Sequence, residues 1–250
     1  MAGQSAERQE NGVIKYINDS VKKNQKNPIT LIAGKETIVG VIKAEKYKGR
    51  QLGGSEPYTD VVIYVIRNNK TETINCSLKG ESAPSLAGGG LKGIELAVPG
   101  ITKRFMNAVY DELMKNKKLK IGDKVPDTFS KISSQNKLKI VVGNEKMGGP
   151  IDYMYIGPMN VSGKYDQKKN VLQLNGSLIE SVHYAKTHNL FFRLRARRED
   201  QRFDPDAKEK DGTPKIYGKS PTKGDSAGRI VITDKVPTDR KSIRLNSSHT

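Results

Sequence analysis

A carboxylate, a hydroxyl and an ammonium group are spaced in this sequence so that one β-hairpin would bring them together. Between residues 61 and 78, a β-branched run and a run of alternating polar and apolar side chains flank a two-residue turn at 68–69, which is the pattern of a tight hairpin. The register of this turn places Asp60 opposite Ser77, with Lys79 one diagonal step away on the same face. We therefore expect these three side chains to lie together at one end of a sheet.

These side chains have the chemistry that metal-assisted cleavage of a phosphodiester needs. A carboxylate such as that of Asp60 holds Mg²⁺ or Mn²⁺, and a lysine such as Lys79 orients the attacking water or offsets charge on the phosphate. The same spacing also fits an Asp–Lys pair that closes an ordinary hairpin, and from spacing alone this structural role is the more common one.

A family resemblance is carried by residues 57–60 (Pro-Tyr-Thr-Asp), residues 77–79 (Ser-Leu-Lys) and the small-residue loop 82–90. Together they resemble the motif of the PD-(D/E)XK nucleases, the restriction-endonuclease-like superfamily. The resemblance implies an α/β fold in which helices flank a mixed central sheet, with Mg²⁺ or Mn²⁺ as cofactor and DNA as substrate. It also implies that Asp60 is the primary metal ligand and that Lys79 is the charge-stabilising lysine.

The sequence departs from the family motif at two points within the resemblance, which covers about residues 8–115. The proline precedes the aspartate by three residues instead of one, and Ser77 occupies the position where the family usually carries Glu or Asp. Serine brings no negative charge to a metal, so Ser77 is a weak ligand or a bystander. Either another acid substitutes, with Glu10 on the first helix and Glu81 just beyond the hairpin as the candidates, or the site is weak or inactive.

Positive charge is the strongest compositional signal. The chain has 44 Lys and Arg against 27 Asp and Glu, a net charge of +17 over 250 residues. This excess favours a polyanionic partner, and nucleic acid (DNA before RNA) fits better than a membrane surface, because no basic amphipathic helix with aromatic anchors is found. Phosphate contacts are expected from basic side chains on a strand at 189–197 and on the segment before the hairpin: Arg193, Arg195, Arg197, Lys48 and Arg50. Both groups also fit ordinary solvent-exposed charges.

The remaining composition argues against other kinds of site. A single cysteine, Cys76, and three scattered histidines exclude a disulfide within the chain and a cysteine-rich zinc site, and they fit a reducing compartment. No signal peptide and no run of about 18 apolar residues is found. We therefore expect a cytoplasmic protein, in the host cytoplasm if the sequence is viral.

Hydrophobic periodicity predicts the elements that must position the candidate residues. Helices are expected at 4–24, 99–116 and 177–186, and a long loop at 203–227. Strands are expected at 29–33, 37–43, 61–66, 71–78, 137–142, 151–156, 161–165, 171–174, 189–197 and 229–233.

Three regions are expected along the chain. Residues 1–142 form the nuclease-like α/β core, and residues 143–238 form a β-rich basic extension packed on it. Residues 239–250 closely resemble a translated sequencing-library adapter, typical of an environmental or phage sequence assembly, and are set aside from the fold.

Two functions fit these patterns. The first is a Mg²⁺-dependent phosphodiesterase, endonuclease-like, that acts on DNA. The alternative is a non-catalytic nucleic-acid-binding or virion-associated protein that keeps the fold and has lost the metal, and Ser77 is the residue that favours it. Strandedness, sequence preference and oligomeric state are not encoded in any motif.

Overall fold

The computed structural model describes residues 2–50, 56–81, 90–115, 119–195, 202–216, 229–234, 236 and 243–245. Five α-helices lie in these ranges: α1 (Ala2–Lys23), α2 (Gly90–Ala97), α3 (Ile101–Lys115), α4 (Ser134–Val142) and α5 (Ser181–Thr187). The strands of the first half are β1 (Ile29–Ala33), β2 (Glu36–Lys46), β3 (Val61–Arg67) and β4 (Lys70–Gly80). Those that follow are β5 (Thr128–Lys131), β6 (Tyr153–Gly157), β7 (Gly163–Asp166), β8 (Val171–Leu174), β9 (Ser177–Glu180), β10 (Phe191–Arg195), β11 (Arg229–Thr233) and β12 (Ile243–Leu245).

The chain divides into two compact units, one made of residues 1–84 and 141–187 and the other of residues 85–140 and 188–250. The first contains a mixed sheet in the order β7-β8-β1-β2-β3-β4-β6-β9, in which β1 to β4 are antiparallel neighbours and β6 runs parallel to β4. This confirms the α/β class with a mixed sheet and helices. The units differ from the expected boundary at residue 142, because β6 to β9 pair into the same sheet as β1 to β4.

The hairpin of β3 and β4 has the predicted register. Arg67 pairs with Lys70 and Val61 with Cys76, and the two turn asparagines both have positive φ, of 50° and 60°. Positive φ at both central positions is the requirement of a type I′ turn, whose twist matches that of the flanking strands, and asparagine tolerates it better than most residues. The asparagine pair therefore fixes which side chains oppose one another along the whole hairpin.

One face of the hairpin is buried against α1. Apolar side chains of both strands pack with three residues of the helix in a single cluster: Val61, Ile63, Val65, Ile74, Cys76, Leu78, Val13, Ile17 and Val21. Burial raises the pKa of the Cys76 thiol to about 12. The opposite side chains of the hairpin, beginning with Asp60 and Ser77, project from the other surface of the sheet, which we call the outer face.

The second unit contains a four-stranded sheet in the order β11-β10-β5-β12, with β10 antiparallel to β5 and β11. Strand β12 pairs in parallel with β5. Residues 243–245, part of the adapter-like segment 239–250, therefore lie in this sheet. Of the expected loop at 203–227, residues 217–227 lie outside the described ranges. Among the described residues, no helix is both long and apolar enough to span a membrane.

Two sequence-based assignments of secondary structure are wrong. Residues 137–142 form part of helix α4, since the buried positions Lys137, Ile140 and Val141 recur at helical spacing. The hydroxyl of Ser133 accepts a hydrogen bond from the Asn136 N–H at 3.3 Å, which caps the helix start.

The second correction concerns the helix expected at 177–186. Its first four residues form β9 beside β6, and only α5 is helical. The helix begins at Ser181, whose N–H donates to the Asp152 carbonyl at 2.9 Å. A long-range strand partner therefore overrides the local helical pattern.

A buried glutamine joins α1 to the end of the sheet that carries the candidate site. The side-chain amide of Gln9, which is 2% exposed, donates to the carbonyl of Gly157 at 2.9 Å and to that of Lys79 at 3.2 Å. It thereby links the helix to the ends of β6 and β4. Loss of these bonds would deprive the buried carbonyl of Gly157 and the partly buried carbonyl of Lys79 of this donor.

We expect Gln9→Ala to lower the free energy of unfolding of the first unit by about 1–3 kcal/mol. The thiol of Cys76, buried in that unit, becomes reactive on unfolding, so thiol labelling across a urea titration measures the change. Asn11→Ala, at an exposed position of the same helix, is the matched control and should shift stability by no more than about 0.5 kcal/mol. Equal stability of the two variants would show that the Gln9 bonds contribute nothing.

Candidate active site

The structure brings Asp60 and Ser77 together as the hairpin register predicts. The Ser77 hydroxyl donates to Asp60 Oδ2 at 3.0 Å, and the Leu78 N–H donates to the same oxygen at 2.6 Å. Lys79 lies two residues beyond Ser77 on β4 and so shares the outer face with both. No ion pair within 4 Å is formed between Asp60 and Lys79, which leaves the ammonium group uncommitted to that carboxylate.

The Asp60 carboxylate lies in a poorly solvated environment. Burial raises its pKa above the ordinary value, and the Lys79 charge and the hydrogen bonds from Leu78 and Ser77 oppose that shift without cancelling it. A buried carboxylate with few compensating partners gains more from a bound cation than an exposed one does.

The backbone around Asp60 is fixed by the turn at residues 145–148. The N–H of Tyr58 donates to the Met147 carbonyl at 2.8 Å, and the Thr59 hydroxyl donates to the Gly148 carbonyl at 2.6 Å. Gly148 has a φ of 73°, and a Cβ there would lie 2.6 Å from Pro57 Cβ, so only glycine fits this close approach. The role of this turn in holding Asp60 carried no sequence signal.

The structure joins Glu10 to Lys46 instead of directing it to Asp60. Glu10 Oε2 lies 2.8 Å from Lys46 Nζ. Lys46 pairs with Val61 and so lies on the face that α1 covers, opposite to the outer face of Asp60. The pKa of Lys46 is raised, first by the hydrogen bond with Glu10 and further by the charges of Glu7 and Asp60. Sequence reasoning missed this pairing because it depends on how α1 crosses β2.

Glu81 is exposed immediately beyond β4. Its charge acts on the Tyr155 hydroxyl, whose pKa is raised to about 12, mainly by burial. In the described ranges, no three His, Cys, Asp or Glu side chains form a group that could hold a metal ion. Asp60 therefore belongs to no such group of three among the described residues, although the charge of Glu56 also acts on it, and its site would suit Mg²⁺ only where substrate phosphate and water supply other ligands.

The basic residues expected to contact phosphate have different surroundings. In the second unit, the Arg193 guanidinium donates to Asp127 Oδ2 and lies 5.5 Å from the centre of the Phe129 ring, so its charge is already paired. Arg195 pairs through its backbone with Arg229, and Arg197 lies outside the described residues. Lys48 and Arg50 are exposed on the segment that follows β2.

The outer face of the hairpin carries further polar and aromatic side chains. The Tyr64 hydroxyl donates to Glu45 Oε1 at 2.6 Å, while Lys43 Nζ lies 2.5 Å from Glu45 Oε2 and 5.2 Å from the centre of the Tyr64 ring. Tyr47 lies beside Asp60, since its N–H donates to the Asp60 carbonyl at 3.0 Å. Two tyrosines thus share a surface with the candidate acid.

Comparison with known protein families, with curated proteins and with solved structures gives no match to this chain. Function therefore has to be inferred from the residues and their geometry.

We expect Asp60→Asn to gain stability relative to the wild-type protein as the pH rises above the ordinary Asp pKa of 3.8. The raised pKa means that the folded state keeps the Asp60 proton over a range in which the unfolded chain has lost it, so the wild type is destabilised by rising pH until Asp60 ionises in both states. Urea titrations of both proteins at a series of pH values measure the difference.

Asp19→Asn is a control for which we expect the opposite pH dependence of stability relative to the wild type. The hydrogen bond from Lys15 lowers the pKa of Asp19, so the wild type should gain stability relative to this variant as the pH rises towards 3.8. If both variants change with pH in the same direction, the burial of Asp60 does not control its ionisation.

Proposed function

We propose that this protein is a Mg²⁺- or Mn²⁺-dependent phosphodiesterase, endonuclease-like, that acts on DNA. The observation that carries the proposal is the juxtaposition of a poorly solvated carboxylate, Asp60, with Lys79 on the neighbouring strand, at one end of a mixed sheet. A carboxylate and a lysine so placed can serve a metal ion and a phosphate at the same time.

The finer fold belongs to the same proposal: a restriction-endonuclease-like core with a basic β-rich extension. Support comes from the order of elements, in which α1 precedes the antiparallel strands β2 to β4 and β6 then joins parallel to β4. The Ser-Leu-Lys segment of the motif lies on β4, and the aspartate immediately precedes its neighbour β3.

Each side chain has a defined part in the proposed reaction. A bound Mg²⁺ would polarise the phosphate and favour hydroxide at the attacking water. Asp60 would hold the ion, and Ser77 orients that carboxylate through its hydrogen bond. The Lys79 ammonium would offset the negative charge that develops on the phosphate oxygens.

The overall charge and the single buried thiol are consistent with this proposal. A net charge of +17 accelerates encounter with a polyanion such as DNA. The free thiol of Cys76 is buried, which fits the reducing cytoplasm that we propose as the compartment.

We expect DNA, tested as a plasmid and as a circular single strand, to be cleaved only when Mg²⁺ or Mn²⁺ is present, with a loss on the order of 100-fold in Asp60→Asn and in Lys79→Ala. Gel analysis of a time course with and without EDTA measures this. Lys35→Ala, in the exposed turn between β1 and β2, removes the same charge as Lys79→Ala and should cleave like the wild type. Full activity in Asp60→Asn would exclude the proposed site.

A non-catalytic nucleic-acid-binding or virion-associated protein is the second candidate. It is favoured by one specific observation: Ser77, at the position of the family's second acid, is 1% exposed and its hydroxyl is bonded to Asp60. Under this alternative, DNA is retained at low salt and released steeply as salt rises, and it is not cut at any concentration of divalent ion.

A further inference from the structure

A cavity of about 310 Å³ lies on the outer face of the hairpin, beside the candidate acid. Its size is at the lower end of the range for small-ligand sites in proteins. Six of its lining residues are two tyrosines, three polar or charged residues and one valine: Tyr47, Tyr64, Glu45, Thr73, Asn75 and Val62.

The cavity begins one step along the strand from Asp60. Tyr47, which lines the cavity, donates its N–H to the Asp60 carbonyl, and Val62 lies two residues after Asp60. On β3, Val62 pairs with Asn75, and Tyr64 pairs with Thr73. Same-face neighbours on a strand are about 6.6 Å apart. A nucleotide whose phosphate lies at Asp60 could therefore place its base, or that of the next nucleotide, in the cavity.

Both tyrosine rings are held in place by their neighbours. A Cβ on Gly49 would lie 2.3 Å from Tyr47 ring atoms, and one on Gly148 would lie 3.2 Å from Tyr47 Cε1, so backbone packs closely against that ring. Tyr64 is held by its hydrogen bond to Glu45 and by Lys43. Rigid aromatic walls are suited to stacking because little conformational freedom is lost on binding.

The cavity also offers groups that suit the polar parts of a nucleotide. Thr73 and Asn75 line it with a hydroxyl and an amide, and the exposed Lys48 adds a positive charge. Aromatic rings that stack bases, beside a cationic rim that follows the backbone, are the combination that single-strand-binding sites use. A base in a duplex is stacked between its neighbours and cannot present its face to a tyrosine without leaving the helix.

We propose that this cavity binds one unpaired nucleotide of single-stranded DNA, with its base against Tyr47 and Tyr64 and its backbone directed towards Asp60. The inference rests on the proposed function, since it identifies the substrate class of the same site as single-stranded DNA.

The test is equilibrium binding of a fluorescent oligothymidylate, and of a duplex of the same length, followed by anisotropy in EDTA. Tyr47→Ala and Tyr64→Ala should each weaken single-strand binding about tenfold, as expected for one lost base–aromatic stack, with less than about a twofold effect on duplex binding. Tyr64→Leu retains apolar bulk without a ring and should lose as much as Tyr64→Ala, which separates stacking from folding.

Tyr165→Ala, on β7 of the same unit, is the matched control and should bind the single strand like the wild type. Unchanged single-strand affinity in the Tyr64 variants, or an equal loss for the duplex, would overturn the inference. Binding in EDTA is independent of cleavage. A protein that loses single-strand affinity in Tyr64→Leu but never cuts DNA would support the cavity assignment and refute the phosphodiesterase.

Discussion

The hydrogen bonds that Asp60 Oδ2 accepts from Ser77 and Leu78 are the interaction on which the candidate site depends. They fix a carboxylate across the hairpin and at the same time set its protonation. A buried carboxylate is costly unless donors surround it, and two donors on one oxygen do not remove that cost, since the pKa of Asp60 stays raised. The site is thus poised to gain from a cation, because a positive ion would stabilise the ionised form that burial disfavours.

The serine at position 77 affects both the pKa of Asp60 and the number of charged ligands that the site offers a metal ion. A second acid there would place two carboxylates beside each other, where the Ser77 hydroxyl now lies 3.0 Å from Asp60 Oδ2, and their repulsion would raise the pKa values further until a metal bound. Ser77 removes that repulsion and donates a hydrogen bond instead. The cation-free protein is therefore more stable than one with two acids would be, but it offers fewer charged ligands. Any metal bound here depends more strongly on oxygen atoms of the substrate.

The hairpin, and the proximity of Asp60 and Ser77 within it, could be predicted from the local sequence. The asparagine turn determined the register, the alternation of apolar residues identified the core face, and together they placed Asp60 beside Ser77. Contacts between distant segments carried no such signal. Residues 137–142 alternate like a strand but are helical because their neighbours bury every third or fourth side chain. The roles of Gln9 and Gly148, and the pairing of Glu10 with Lys46, likewise depend on how segments far apart in sequence meet.

The charges around the candidate site suggest that attraction of DNA and its alignment in the proposed complex would depend on different residues. Under the proposed function, net positive charge would draw DNA to the protein, but two cations near the candidate residues are already paired with acids, Lys46 with Glu10 and Lys43 with Glu45. Cations held in such ion pairs cannot fix the position of a DNA strand with the precision that cleavage would require. In the proposed complex, the rings of Tyr47 and Tyr64 would do so, because stacking has a fixed geometry and depends less on salt than phosphate contacts do. In the proposed DNA complex, attraction by the whole surface and alignment by the outer face of the hairpin would therefore be distinct contributions, and increasing salt would weaken the first while leaving most of the second.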